Sequence, residues 1–338
     1  MKAAAIHKWN DAPQLTDVAA PAAPTGNDVL VRVVYSSINP LDWKLASGLM
    51  AIPGLPTSWP KHFGQDLSGE VIAVGPSVTH FKVGDHVYGT TSNGPKGSGA
   101  HAERVVCNDS SIAHKPKNIS HQEAASIPLA ALTAYGSIFG SGHLTAGQSV
   151  LILGASGGVG HLGVQIAKAK GAKVYASCGT DKVDYVKGLG ADQVVDYKTE
   201  KLNEKLKGKE IDVLFDCIGA KRERELAFPL LKRGGIAVTI NPIDDTTGQS
   251  FIFQVANSLK DFTWGNLQHY YYNRSLFKLY FFTPNNTREQ LEEVSKMVEE
   301  GKVKTEVAQV FPLSQVGEAF KKSKEGRTKG KIVIEVSK

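Results

Sequence analysis

The pattern of apolar and polar positions changes character once, at about residue 125. Before that point short stretches alternate and are broken by turn formers. Residues 29–35 alternate in part as a strand does, residues 69–75 form a second strand closed by glycines, and residues 83–89 read as a turn followed by a strand. Pro53, Gly54, Pro56 and Pro60 punctuate the same region. After it, residues 150–153 are a fully apolar strand, and Val159, Leu162, Gly163, Ile166 and Ala167 then recur at helical spacing. Residues 173–177 predict a second strand and 181–189 a second helix. Residues 193–196, 211–216, 235–240 and 276–282 predict further strands. Strands alternating with helices imply right-handed βαβ units and a parallel sheet. Residues 287–300 read as an amphipathic helix with Thr287 as N-cap and Gly301 as its stop. The chain closes on a strand at 331–336.

Composition narrows the class. A length of 338 residues suggests two domains, and 41% hydrophobic with 21% charged residues is ordinary for a globular protein with a sizeable core. No apolar run approaches the roughly 20 residues of a membrane span. Cys107, Cys178 and Cys217 form no close pair, so neither a disulfide framework nor a four-cysteine zinc lobe is expected. The net charge of +6 is spread along the chain, with no dense basic stripe interleaved with aromatics, so nucleic acid is not the expected partner. The first residues carry no basic-then-apolar signal and no Arg/Ser-rich transit pattern. A cytoplasmic location is expected, and an organelle-peripheral one through an internal signal stays open.

The most specific chemistry follows the apolar strand at 150–153. Ala155, Ser156, Gly157, Gly158, Val159 and Gly160 form a variant of G-x-G-x-x-G with Ala in first place. Such glycines allow a tight turn, close approach of backbone to a pyrophosphate and close helix–strand contact, and the following helix presents free N–H groups to phosphate. The next strand speaks to the cofactor. NAD sites place Asp or Glu about 20 residues after the glycines, to hold the ribose 2′-hydroxyl. Here the strand ends Ala176-Ser177-Cys178-Gly179-Thr180, with no acid at its end. Ser177, Lys182 and Tyr197 are the candidate donors to a 2′-phosphate, so NADPH is the expected cofactor; the alternative for Lys182 is a solvated helix residue.

Residues 37–44 (Ser-Ile-Asn-Pro-Leu-Asp-Trp-Lys), 155–161, 189–192, 196–199 and 300–305 carry a resemblance that covers nearly the whole chain. The sequence resembles the zinc-free quinone oxidoreductase group of the medium-chain dehydrogenases/reductases. Within it, the likeness is to plant chloroplast-envelope quinone oxidoreductase homologues and enone reductases. The resemblance implies an α/β protein with a GroES-like β-rich catalytic domain (1–124 and 287–338) interrupted by a Rossmann doubly wound domain (125–286), with the active site in the cleft between them. It implies that Lys182 and Tyr197 take the 2′-phosphate, that Thr133 and the 240 region with Asn241 lie near the nicotinamide, that Ile218 is a further cofactor-binding residue, and that the segment with Lys329 and Lys331 closes over the cofactor. It also implies a homodimer, for which the apolar stretch 276–282 and its Phe281 offer a pairing edge.

Zinc relatives use a Cys in the first loop, a Gly-His-Glu motif and a later Cys. The corresponding stretches here read Ser37-Ile38-Asn39, Gly64-Gln65-Asp66 and Leu129-Ala-Ala-Leu-Thr133, so no metal is expected. A carbonyl must then be polarised by hydrogen-bond donors, for which Asn39, Lys44 and Thr133 are the candidates. A quinone or an α,β-unsaturated carbonyl suits such a site, because hydride addition to the conjugated system places negative charge on oxygen. Three alternatives remain at this level. Asn39-Pro40 is also a turn signal, Asp42 is equally a local cap or a partner of Lys44, and Trp43 and Trp59 serve a core as well as a planar pocket. A non-catalytic NADPH- or RNA-binding protein of the same fold, or a zinc-independent ketone reductase, are the competing functions.

Overall fold

The computed structural model describes residues 1–48, 59–91, 99–240, 276–279, 287–326 and 328–337. The chain divides into two compact units. Unit 1 comprises Met1–Leu132, Thr283–Gly301 and Thr305–Lys338; unit 2 comprises Thr133–Phe282 and Lys302–Lys304. No helix among the described residues is long and apolar enough to cross a membrane.

Unit 2 is built on a parallel sheet. Among the described residues its strand order is Gln193–Asp196, Lys173–Cys178, Ser149–Leu153, Ile211–Asp216, Leu231–Thr239, Leu276–Leu279. In chain order this is 3-2-1-4-5-6, the Rossmann arrangement, whose switch point lies between the first and fourth strands. The apolar runs predicted from sequence are explained by covering on both faces. Val150 and Ile152 pack with Val174, Ala176, Val213 and Phe215, whereas Leu151 and Leu153 pack with Tyr175, Leu202 and Leu214. Successive side chains of one strand feed opposite faces, so residues 150–153 are apolar throughout.

Two elements differ from expectation. The helix predicted at 181–189 is a 3-10 turn, Thr180–Lys182, followed by a short α-helix, Val183–Gly188. The strand predicted at 235–240 starts at Leu231, because a register shift against Ile211/Val213 takes up Gly234 at φ 82°. Of the stretch 276–282, Leu276–Leu279 is a strand pairing with Leu231–Thr239; Phe281 lies outside the described residues.

Unit 1 is mostly antiparallel. Gln14–Asp17, Lys2–Ile6 and Lys61–His62 form a small sheet. A larger one runs Val307–Pro312, Lys331–Glu335, Asp28–Ile38, Asp66–Val74, His86–Thr90, Ile112–His114, with Arg104–Asn108 also paired to Asp28–Ile38. Its registers matter for the site: Ser37 faces Asp66, and Ile332 faces Ile38. Residues from the start, the first quarter and the end of the chain therefore meet in one row. The helix Arg288–Glu299 buries Leu291, Val294, Met297 and Val298 and stops at Gly301, φ 71°. Thr287 holds the N-cap position but does not cap. Its backbone is already helical (φ −102°, ψ −4°), and its hydroxyl is buried without a partner among the described residues.

Candidate functional site

In unit 2 the chain leaves the first strand at Leu153 and turns at once. Gly154 takes φ 75°, in the left-handed region, and a side chain there would collide with Ile218 at 2.6 Å. The expected pattern began at Ala155, yet the residue that makes the turn is Gly154. Gly160 opens the helix Gly160–Ala169 and lies so close to the loop that a Cβ would stand 2.3 Å from the Gly154 carbonyl oxygen. This is the close packing that glycine alone permits. The His161 ring holds the same loop through Nδ1 and the Gly157 carbonyl, 2.9 Å apart. In the first turn of the helix the His161 and Gly163 N–H groups donate to the Gly157 and Val159 carbonyls (3.1 and 2.9 Å), and the positive end of the helix dipole lies at this turn.

The other side of the switch point is shaped by Asp216, which sequence reasoning passed over. It ends the fourth strand, and its Oδ1 accepts from the N–H groups of Ile218 (3.0 Å) and Gly219 (2.9 Å). That fixed turn presents Ile218, 38% exposed, against Gly154. An acid at the end of an apolar strand, followed by Cys-Ile-Gly, was the available signal.

The second strand carries the next group. The Ala155 N–H donates to the Ser177 carbonyl (3.0 Å), so Ser177 sits beside the glycine turn, and its hydroxyl is buried with no partner among the described residues. Lys182 is half-buried at the end of the 3-10 turn, and Tyr197 is exposed just past the third strand. One expectation is corrected here. The strand end is not free of acid, because Asp181 folds back until its Oδ1 lies 3.4 Å from where a Cβ of Gly179 would stand. The sequence places Asp181 three residues beyond the strand, and only the tight 3-10 turn returns it. A nicotinamide dinucleotide fits this unit on two observations: a backbone cradle that a Cβ would fill, and an orphaned hydroxyl at the end of the second strand.

Unit 1 contains a different kind of site. Asp66, fully buried, accepts four hydrogen bonds: from Ser37 Oγ (2.6 Å), Asn39 Nδ2 (2.8 Å), the Leu129 N–H (2.6 Å) and Lys331 Nζ (3.3 Å). Lys331 also donates to the Ile38 carbonyl and to Asn39 Oδ1. Below them Asp42 accepts from the Asn39 N–H (2.7 Å) and the Gly64 N–H (3.2 Å). Asp42 is thus the local cap of the helix Pro40–Ala46 rather than a partner of Lys44. Burial pushes its carboxyl up to about 7, with Asp66 adding to the rise and the Asn39 bond and Lys331 opposing it. His101 stands 4.0 Å from Asp42, bonded to Ser36 through Nδ1 (2.8 Å), and burial with the nearby Lys331 charge lowers its imidazole to about 3.

The expected residues therefore separate into groups. Gly154–Gly160, Ser177 and Ile218 come together at the switch point. Asn39 and Lys331 come together inside unit 1, where the Lys331 ammonium bonds Ile38, Asn39 and Asp66. Lys329 pairs with Glu306 (3.4 Å). Lys44 lies on the helix Pro40–Ala46 with its ammonium 5.6 Å from the Trp43 ring centre. Trp43 donates to Ser323 Oγ and packs on the core, and Trp59 stacks edge-on against Trp9. Thr133 is the first residue of unit 2, buried in the helix Pro128–Tyr135. Asn241 lies outside the described residues. Among the described residues no group of three or more His, Cys, Asp or Glu side chains is placed to hold a metal ion.

Comparison with known proteins agrees with both halves. The family model of the alcohol dehydrogenase GroES-like domain matches residues 25–117, and that of the zinc-binding dehydrogenases matches residues 189–334. A mitochondrial NAD(P)H oxidoreductase of Danio rerio is 36% identical, covering 99% of this chain and 91% of its own length. A chloroplast envelope quinone oxidoreductase homolog of Arabidopsis thaliana is 34% identical over 92% and 91%. A 2-methylene-furan-3-one reductase of Solanum lycopersicum is 34% identical over 91% and 71%. Among solved structures, the Escherichia coli quinone oxidoreductase complexed with NADPH superposes with a TM-score of 0.79, at 26% identity, over 99% of this chain and 100% of that one.

Proposed function

The chain belongs to the quinone oxidoreductase group of the medium-chain dehydrogenases/reductases, and from that premise we propose that it reduces quinones or α,β-unsaturated carbonyls with NADPH and without zinc. The observation that carries this is the Gly154–Gly160 turn, with the orphaned Ser177 hydroxyl beside it in a Rossmann sheet. A nicotinamide dinucleotide, when bound, supplies the hydride. The first turn of the helix Gly160–Ala169 binds the pyrophosphate, and Ser177, Lys182 and Tyr197 receive the 2′-phosphate.

In unit 1 the Asn39 amide gives one N–H to Asp66, and its oxygen accepts from Lys331. The second amide N–H has no acceptor among the described residues. It is the donor left for a substrate oxygen, held in place by Asp66 and Lys331 as positioning residues. Lys44 is the other donor of unit 1 that we assign to that oxygen. A donor aimed where charge develops is worth about 3–4 kcal/mol in the transition state. Because charge appears on oxygen in conjugate addition, loss of a donor lowers turnover more than substrate binding.

The protein assembles as a homodimer along the outer edge of the six-stranded sheet. In support, Leu276–Leu279 ends the strand order and pairs on one side only among the described residues, and such an edge is open to a second copy. Light scattering at micromolar concentration checks this, with a dimer expected.

The functional test follows NADPH oxidation with a quinone, an enone and an isolated ketone in parallel, with elemental analysis of the same preparation. Turnover of the conjugated acceptors with no stoichiometric zinc is expected. Turnover of the ketone alone, or tightly bound zinc near one per chain, would contradict the proposal.

A further inference from the structure

Four observations converge on Gly179, the residue that follows the second strand of unit 2. The Tyr197 N–H donates to the Cys178 carbonyl (3.2 Å), which ties the segment after the third strand to the end of the second. The Asp196 carboxylate then shapes that segment: Oδ1 accepts from the Lys198 N–H (3.0 Å) and Oδ2 from Thr199 Oγ1 (2.9 Å), while the Glu200 N–H returns to the Asp196 carbonyl (2.8 Å). Bonds from the Thr180 hydroxyl, the Lys198 N–H and Thr199 hold this carboxyl below its ordinary value, so the turn persists with Asp196 charged. The result lays the Lys198 side chain across Gly179. Cε stands 3.4 Å and Nζ 3.7 Å from the position a Cβ of Gly179 would take, and Asp181 Oδ1 stands 3.4 Å from the same point. One exposed ammonium and one exposed carboxylate flank a residue with no side chain of its own, two positions after the orphaned Ser177 hydroxyl.

The end of the second strand is where a Rossmann sheet meets the adenosine ribose. A carboxylate there accepts from ribose hydroxyls and repels a phosphate; an ammonium does the reverse. We propose that Lys198 is a specificity-determining residue that contacts the 2′-phosphate of the cofactor, and that Asp181, beside the same Gly179, sets the limit of that preference by accepting from an unphosphorylated ribose. The inference rests on the NADPH assignment above and adds to it the pair of side chains that decides the ratio. Lys182, the lysine apparent in the sequence, then supports the phosphate rather than selecting for it alone. Because both groups are exposed, their effects are screened and weaken as salt rises.

The test is equilibrium titration of the full chain with NADPH, with NADH, and with the fragments adenosine 2′,5′-bisphosphate and AMP, followed by calorimetry at low and at high salt. Lys198→Ala is expected to raise the dissociation constants of NADPH and of the bisphosphate about tenfold, and to leave those of NADH and AMP within about twofold, since loss of one charge-assisted contact is of that order. Lys198→Arg should restore most of the preference. Asp181→Asn should move the ratio the other way, tightening NADPH and weakening NADH. Both effects should shrink at high salt. All these positions are exposed, so an unchanged circular dichroism spectrum checks folding. If Lys198→Ala leaves the NADPH to NADH ratio unaltered while Lys182→Ala lowers it, the inference is overturned and the NADPH assignment stands. If the wild type binds both dinucleotides equally, or neither, the assignment fails and the inference with it.

Discussion

The two units handle polar groups in opposite ways. Around Asp66 in unit 1 the polar side chains are buried and bond one another: Asp66 takes four donors, Lys331 three acceptors, and Asp42 two backbone N–H groups. In unit 2 the comparable region is unfinished. The Ser177 hydroxyl is buried without a partner among the described residues, and Lys198 and Tyr197 stand in solvent around Gly179. A closed network holds side chains still, and an open one waits for a ligand. The comparison teaches that Asp66, Lys331 and Asp42 should respond to mutation mainly through stability, and Ser177, Tyr197 and Lys198 mainly through binding.

The sharpest way to break this contrast is Asp66→Ala. It strips four donors and leaves the buried Lys331 charge uncompensated, a change expected to cost about 3–5 kcal/mol of stability. Denaturant melts of Asp66→Ala, Lys331→Met and the double variant check it. The double variant should lose clearly less than the sum of the two, because the residues share one network. Next is Gly160→Ala. The new Cβ meets backbone at 2.3 Å, which cannot yield as a flexible side chain would. The loop must shift, costing about 1–3 kcal/mol and abolishing NADPH binding in calorimetry. Strong binding by that variant would show that the turn is not the cradle.

Asp42 offers a test by pH. Held up to about 7 against an ordinary 3.8, its carboxyl keeps a proton in the folded protein while the unfolded chain releases it. Stability from this group is full below about pH 4 and falls as pH rises through about 7, by at most about 1.4 kcal/mol per pH unit. Asp42→Asn removes that slope. The variant is less stable overall, since one of the two backbone N–H groups loses its acceptor, but its deficit should shrink between pH 4.5 and 7.5. A deficit that grows over this range would contradict the account. Lowest in expected magnitude is Lys182→Ala, for which isothermal titration should show NADPH weakened by up to about tenfold and NADH barely changed.

Much of unit 2 was legible because its determinants are local. Apolar strands covered on both faces, glycines at fixed spacing and a helix that follows at once all lie within some twenty residues of chain. Even so, the template fell one residue late, since the strand ends at Leu153 and the left-handed turn belongs to Gly154. Asp181 was invisible as a neighbour of the strand end because a 3-10 turn, not a full helix, brings it back. Lys198 is meaningful only through what Gly179 lacks. The unit 1 network was least legible. Asn39 was identified as a polar residue beside a proline, but its partners Asp66 and Lys331 lie 27 and 292 positions away in sequence. They are joined by strand register, which no local pattern encodes.

The claim that unit 2 delivers a hydride to a conjugated acceptor is tested most directly with NADPH carrying deuterium at the transferable C4 position and an enone as acceptor. The products are read by mass spectrometry and proton NMR. The account predicts one deuterium on the β-carbon of the saturated product, with the carbonyl intact. Deuterium on the carbonyl carbon, or reduction of the enone with no deuterium transferred, would contradict it.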